Sequence, residues 1–311
     1  MSTSVPDTAF SQMADDQREI ANPLAQASGV ADRGMKAACE PVADELRRYA
    51  VVAAVVGCWM ATGWILGLKG DSYLVLGVPL LALFQAFIAR RPLVELWFAD
   101  SSRPALPWWG WLLAAAFMVQ PIYNLATWEN TGWDTRLWLA CATVGAIPLA
   151  WSLARCTRAQ WRLLGLCVVT AGSVGILTLV AGFFARPHQS LTAPARIMEG
   201  LRSLVLYLPV CFMIEEVFFR GGLDSYLVRR GTRAPWLSAF YISALWGWWH
   251  LPTVALQPEN RIAQVVVLVI LLPLVHCGVG ALLSIFWRRS GLLLVPVFAH
   301  ALIDAIRNGF H

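Results

Sequence analysis

From residue 49 onward the chain is a succession of apolar stretches about twenty residues long, separated by short polar turns. A helix of that length crosses the hydrocarbon core of a bilayer, where every backbone N–H and C=O must find a partner inside the protein. The expected fold is therefore all-α: a polytopic transmembrane helical bundle of about eight to nine spans. Nine candidate spans fall at about 49–68, 73–89, 106–127, 137–154, 163–185, 201–219, 236–256, 262–287 and 291–307. Charge supports this class, because only 14% of the 311 residues are charged, against about 25% in soluble domains. Tryptophan favours the bilayer–water interface, and Trp108, Trp109 and Trp111 read as an anchor there.

Residues 1–48 differ from the rest. They are polar and of mixed charge, with no apolar run of the kind a secretory signal carries. They read as a mobile tail, with 35–48 helical near the membrane. The expected organisation is this tail, five N-terminal transmembrane helices over 49–200, and a loaded core of about four helices over 201–311. The formal net charge of +5 comes from arginines at helix ends rather than from a basic run, so no nucleic-acid partner is expected. With the N-terminus in the cytoplasm, 14 arginines fall inside and 7 Arg or Lys outside, the bias that the positive-inside rule requires. The 7 cysteines stand singly without a CxxC, and each reads as a small buried hydrophobe.

The ionisable residues then localise a site. The first five spans are essentially free of them, whereas "MIEEVFFRGG" places Glu215, Glu216 and Arg220 near the end of the sixth. His250 lies in the seventh, His276 in the eighth, and His300 with Asp304 in the ninth. A charge at a helix centre costs roughly 2.5–3.5 kcal/mol on insertion scales, so such residues face a protein interior or a wet cavity and mark function. Glu216 and Arg220, Trp246 and His250, and His300 and Asp304 are each spaced i, i+4, one turn apart on one helix face. Glu215 points about 100° away from Glu216, so one carboxylate can be tied to Arg220 while the other is free for chemistry. His276 matches no such pair and reads as a structural histidine, and His188 as a solvated loop residue. "GLDSYLVRR" reads as a helix end and a cytoplasmic turn.

A carboxylate in a low-dielectric cavity becomes a better base near neutral pH. One histidine can orient or deprotonate a water, and another can donate to a developing oxyanion. Together these are the parts of a water-activating hydrolase. Neither GxSxG nor HExxH occurs.

At these residues the chain resembles the CPBP family of membrane endopeptidases, the CAAX-protease and bacteriocin-processing enzymes that include the type II CAAX prenyl endopeptidases. "EEVFFRG" resembles the family's EExxxR motif, "WGWWH" its FxxxH and "HALID" its HxxxN, in that order, and the resemblance covers about residues 201–308. It implies an intramembrane endopeptidase of glutamic type that hydrolyses a peptide bond of a membrane-associated, lipidated or sorting-tailed protein. It implies Glu215 as the catalytic glutamate, His250 as its helper on the water and His300 at the oxyanion. Glu216, Arg220, Trp246 and Asp304 would support the site. The expected partners are a protein or peptide substrate and the lipid bilayer; no organic cofactor is implied. Two positions depart from the pattern: Trp246 stands for Phe, and Asp304 for Asn. An ionised aspartate only accepts hydrogen bonds and would repel an oxyanion, so Asp304 is expected either to be protonated or to orient a cationic His300. With so few residues after Asp304, no helix is expected beyond the last motif.

Three alternatives stay open. Glu215, His250 and His300 could instead hold a zinc ion, giving a metal-dependent version of the same protease. Membrane-embedded acids and histidines could form the proton path of a transporter, although no inverted repeat accompanies them. A non-catalytic scaffold is the third, since a fold does not guarantee activity.

Overall fold

The computed structural model describes residues 42–68, 70–99, 105–127, 132–183, 193–228, 234–254 and 258–310. The expected tail up to residue 41 and the loop holding His188 lie outside the described residues. Nine helices carry the fold: α1 (Val42–Ile65), α2 (Asp71–Ala89), α3 (Trp108–Thr127), α4 (Trp133–Ala154), α5 (Arg158–Phe183), α6 (Ala193–Cys211), α7 (Pro235–Trp249), α8 (Arg261–Ser290) and α9 (Leu294–Phe310). A π-helical segment, Val217–Asp224, follows α6. No strand occurs among the described residues; a single antiparallel bridge joins Phe98 to Leu292.

Five of these helices are long and apolar enough to cross a membrane: α1, α2, α4, α5 and α8. Outward apolar faces fit that setting; on α8 the side chains of Val266, Ile270, Leu271 and Leu274 all point away from the protein. The chain is an integral membrane protein built entirely of helices. The nine stretches expected from hydropathy are all helical in part, but the shorter ones change character. The sixth is broken between α6 and the π segment. The seventh ends as α7 after 15 residues and the last forms α9 of 17 residues, about 22 and 25 Å at 1.5 Å per residue. The expected tail also ends earlier than residue 48, because α1 starts at Val42 and buries Arg48.

The loaded end of the chain is wrapped rather than appended. α9 packs against α6 and α5, α7 lies along α8, and α4 sits between α3 and α6. At the centre, Trp59 of α1, Tyr73 of α2, Phe218 and Phe219 of the π segment and Trp249 of α7 are all fully buried. Their rings contact one another at centroid distances from 4.6 Å (Trp59–Phe218) to 6.5 Å (Trp59–Phe219). Fully burying one such side chain stabilises by about 1.5–3 kcal/mol.

The cysteines correct the sequence reading. Of the six described, only Cys167 and Cys211 are buried; Cys58 is exposed and the others intermediate. A membrane helix is apolar on its lipid face too, so a small hydrophobe carries no information about which way it points.

Candidate active site

The two glutamates sit where the backbone changes from α to π. Pro209 within α6 has no N–H to give to the preceding turn, and two residues beyond it the helix ends at Cys211. Met213 and Ile214 both turn back onto the Val210 carbonyl, at 2.8 and 3.0 Å. The carbonyl of Phe212 is taken by the Trp97 indole at 2.7 Å. Helix then resumes as the π segment, whose end is marked by the Ser225 N–H reaching back to the Arg220 carbonyl. Such π turns occur often at functional sites. Gly221 is required here, because a Cβ at that position would lie 2.2 Å from the Leu96 carbonyl oxygen.

From this backbone the carboxylates part. Glu216 is fully buried, and Arg220 Nη1 donates to its Oε1 at 3.0 Å. His300 Nδ1 lies 2.8 Å from the same oxygen. Arg220 also donates through Nη2 to the Gly280 carbonyl at 3.3 Å and lies over the Trp246 ring, 4.5 Å from its centroid. Glu215 is turned elsewhere: its Oε2 accepts the Trp246 indole N–H at 3.2 Å and lies 3.9 Å from His300 Nε2. Its side chain keeps 15% exposure while that of Glu216 keeps none.

His300 is thus surrounded by acids. Its Nδ1 faces Glu216, and its Nε2 faces Asp304 Oδ2 at 3.4 Å as well as Glu215. Asp304 in turn pairs through Oδ1 with Arg307 Nη2 at 3.2 Å. His250 joins the group through Trp246 rather than directly. Its Nδ1 lies 2.8 Å from the Trp246 carbonyl, and its ring centroid is 5.7 Å from the indole. Among the described residues it makes no hydrogen bond to Glu215 or His300.

The structure therefore brings Glu215, Glu216, Arg220, Trp246, His300 and Asp304 into one contact network, with His250 at its edge. Sequence reasoning missed three members. His276, read as structural, lies 4.7 Å from the Trp246 ring and 4.4 Å from the His250 ring. Arg307, counted as a loop arginine, pairs with Asp304, and its spacing of i, i+3 in "DAIR" was the available signal. Asp224 does not lie in the expected turn: it is fully buried at the end of the π segment and receives Arg288 Nε at 2.9 Å. The helical end expected in "GLDSYLVRR" comes only after Leu227.

The zinc alternative is not favoured by this arrangement. Among the described residues no three His, Cys, Asp or Glu side chains are grouped to hold a metal ion, and His250 is held to a carbonyl outside the Glu215–His300 contact.

Residues 198–306, about a third of the chain, match the family model described as type II CAAX prenyl endopeptidase Rce1-like. No curated protein matches the chain, and no solved structure does. The matched segment begins in α6, takes in the π segment and ends in α9, so it contains every charged and histidine side chain of the network except Arg307. In residues 198–306 this integral membrane protein belongs to the Rce1-like type II CAAX prenyl endopeptidase family.

Proposed function

We propose that the protein is a glutamate-dependent intramembrane endopeptidase acting on a membrane-associated protein tail. The carrying observation is the unequal environment of two adjacent glutamates: Glu216 is locked by Arg220 and His300, while Glu215 keeps an exposed edge and a single indole donor. Two carboxylates held so differently are suited to different work.

In this reading Glu215 takes a proton from a water whose oxygen attacks the scissile carbonyl carbon. His250, whose Nδ1 donates to the Trp246 carbonyl, presents Nε2 as an acceptor for the water's second hydrogen. The carbonyl electrons move onto oxygen, which accepts a hydrogen bond from His300 Nε2–H. As the C–N bond breaks, the departing nitrogen takes the proton from Glu215. Because both ring nitrogens of His300 face carboxylates, the ring suits two N–H donors. Asp304 then serves by orienting His300, with Arg307 offsetting its charge. Arg220 and Glu216 act as the buried brace that holds His300 in place.

No metal enters this sequence of steps. A chelator leaves cleavage unchanged in this reading; loss on chelation with recovery on adding zinc would favour the metal-dependent version instead. The family name supports a prenylated, CAAX-terminated protein as the substrate class. The N-terminus is placed in the cytoplasm, with the scissile bond near the cytoplasmic end of the π segment. The test compares peptide termini in membranes of cells carrying the wild type and Glu215→Ala at matched expression. Precursors accumulate in the variant and the matching cleaved termini vanish; identical profiles would overturn the proposal.

A further inference from the structure

The family motifs and the steps above leave one ionisable residue of the site unused. His276 is the sole histidine on α8, a helix of 30 residues with a mean hydropathy of 2.6 in its most apolar stretch. An ionisable group in such a helix is costly unless something requires it.

Several features converge to hold His276 where it is. Pro273 lies inside α8 and cannot donate to the carbonyl one turn back, that of Val269. That carbonyl is taken instead by the Trp248 indole of α7 at 2.7 Å. α7 comes close at the same level through Gly247, where a Cβ would lie 2.6 Å from the Leu272 carbonyl oxygen. The crossing thereby sets His276 against Trp246 and His250. The His250 and His276 rings stack 4.4 Å apart with 35° between their planes, and the Trp246 ring stands edge-on to His276 at 4.7 Å.

The two histidines are also held alike. His276 Nδ1 lies 2.7 Å from the Leu272 carbonyl, as His250 Nδ1 lies 2.8 Å from that of Trp246, each one turn back on its own helix. A carbonyl only accepts, so Nδ1 carries the hydrogen in both rings and each presents Nε2 away from its helix. The groups around His276 are His250 on α7, Arg220 on the π segment, and His300 and Asp304 on α9.

We infer that His276 is a positioning residue for His250: its ring is the plate that fixes the His250 imidazole with Nε2 turned to the reacting water. This rests on the reading of the site as that of a glutamate-dependent protease. A misplacement of about 1 Å at a reacting group costs on the order of 100-fold in rate, so removing the plate has a measurable effect without touching the chemistry.

The experiment measures cleavage of a quenched fluorescent, farnesylated CAAX peptide by the full-length protein in proteoliposomes. His276→Ala lowers kcat roughly 10- to 100-fold with KM within about twofold. His276→Phe, which keeps a ring but no nitrogen, recovers most of that loss. In a His250→Gln background, adding His276→Ala causes little further loss, because the effect passes through His250. A merely structural role would instead add its full cost in that background. An unchanged kcat in His276→Ala, a Phe variant as poor as Ala, or additive losses would each overturn the inference. Glu215→Gln in the same assay separates the two proposals: if it cleaves normally, the protease reading fails whatever His276 does.

Discussion

The helices before residue 184 and the elements from residue 193 onward spend their buried polar groups in different ways. In the first region the buried donors reach single backbone carbonyls that broken or ending helices have left open. Tyr73 Oη donates to the Trp249 carbonyl at 2.8 Å, Trp59 Nε1 to the Tyr73 carbonyl at 3.0 Å, and Trp97 Nε1 to Phe212 at 2.7 Å. In the second region charged side chains bond to one another: Glu216 to Arg220 and His300, Asp304 to Arg307, Asp224 to Arg288. The first set fixes where the backbone runs, and the second holds charge where water and lipid would not tolerate it. The N-terminal helices lie outside the family match yet fasten the ends of the elements that carry the site. They belong to the working unit and are not a detachable anchor.

Mutations can break that division. The largest effect on stability is expected for Arg220→Ala, which leaves Glu216 buried and uncompensated. Removing one partner of a buried pair costs about 3–5 kcal/mol, so thermal unfolding in detergent shifts down strongly and cleavage is lost. Trp246→Phe keeps the ring but removes the N–H that Glu215 accepts. It lowers kcat about 10- to 100-fold while the unfolding temperature changes little, read by single-turnover cleavage and scanning fluorimetry.

Between these and the surface stands Tyr73→Phe. It strands the Trp249 carbonyl at the end of α7, where the helix itself offers no partner. The expected cost is about 1–3 kcal/mol, with a loss of kcat as the adjoining His250 loosens. A Tyr73→Phe protein with unchanged stability and rate would sever the two regions. The smallest effect is expected for Arg307→Ala. Its side chain is 45% exposed, and a pair of that kind contributes under about 1 kcal/mol.

The order of these effects parallels what the sequence allowed one to see. Glu216 with Arg220 and His300 with Asp304 were legible because one helical turn is a local rule, independent of the rest of the fold. The bond from His300 to Glu216 spans 84 residues, and the one from Tyr73 to Trp249 spans 176. No periodicity reaches that far. The same limit explains His276, which has no ionisable neighbour one turn away and enters the site only through the crossing of α7 and α8 at Gly247. The helical class followed from apolar stretches alone. The break after Cys211 did not, because an apolar run reads alike whether its carbonyls are bonded within the helix or to a distant indole.

The π segment has an effect on phase. Each of its residues turns the chain by less than the 100° of an α-helix, so the angular lag accumulates along Val217–Asp224. Arg220 can therefore point to Glu216 and Gly280 while Asp224, one nominal turn later, is directed to Arg288 near the far end of α8. Removing one residue at Gly221 or Gly222 would let the segment relax to an ordinary α-helix and rotate everything downstream by about a quarter turn. The segment works as a mechanical offset between two charge pairs, and its length is as much a part of the site as the glutamates themselves.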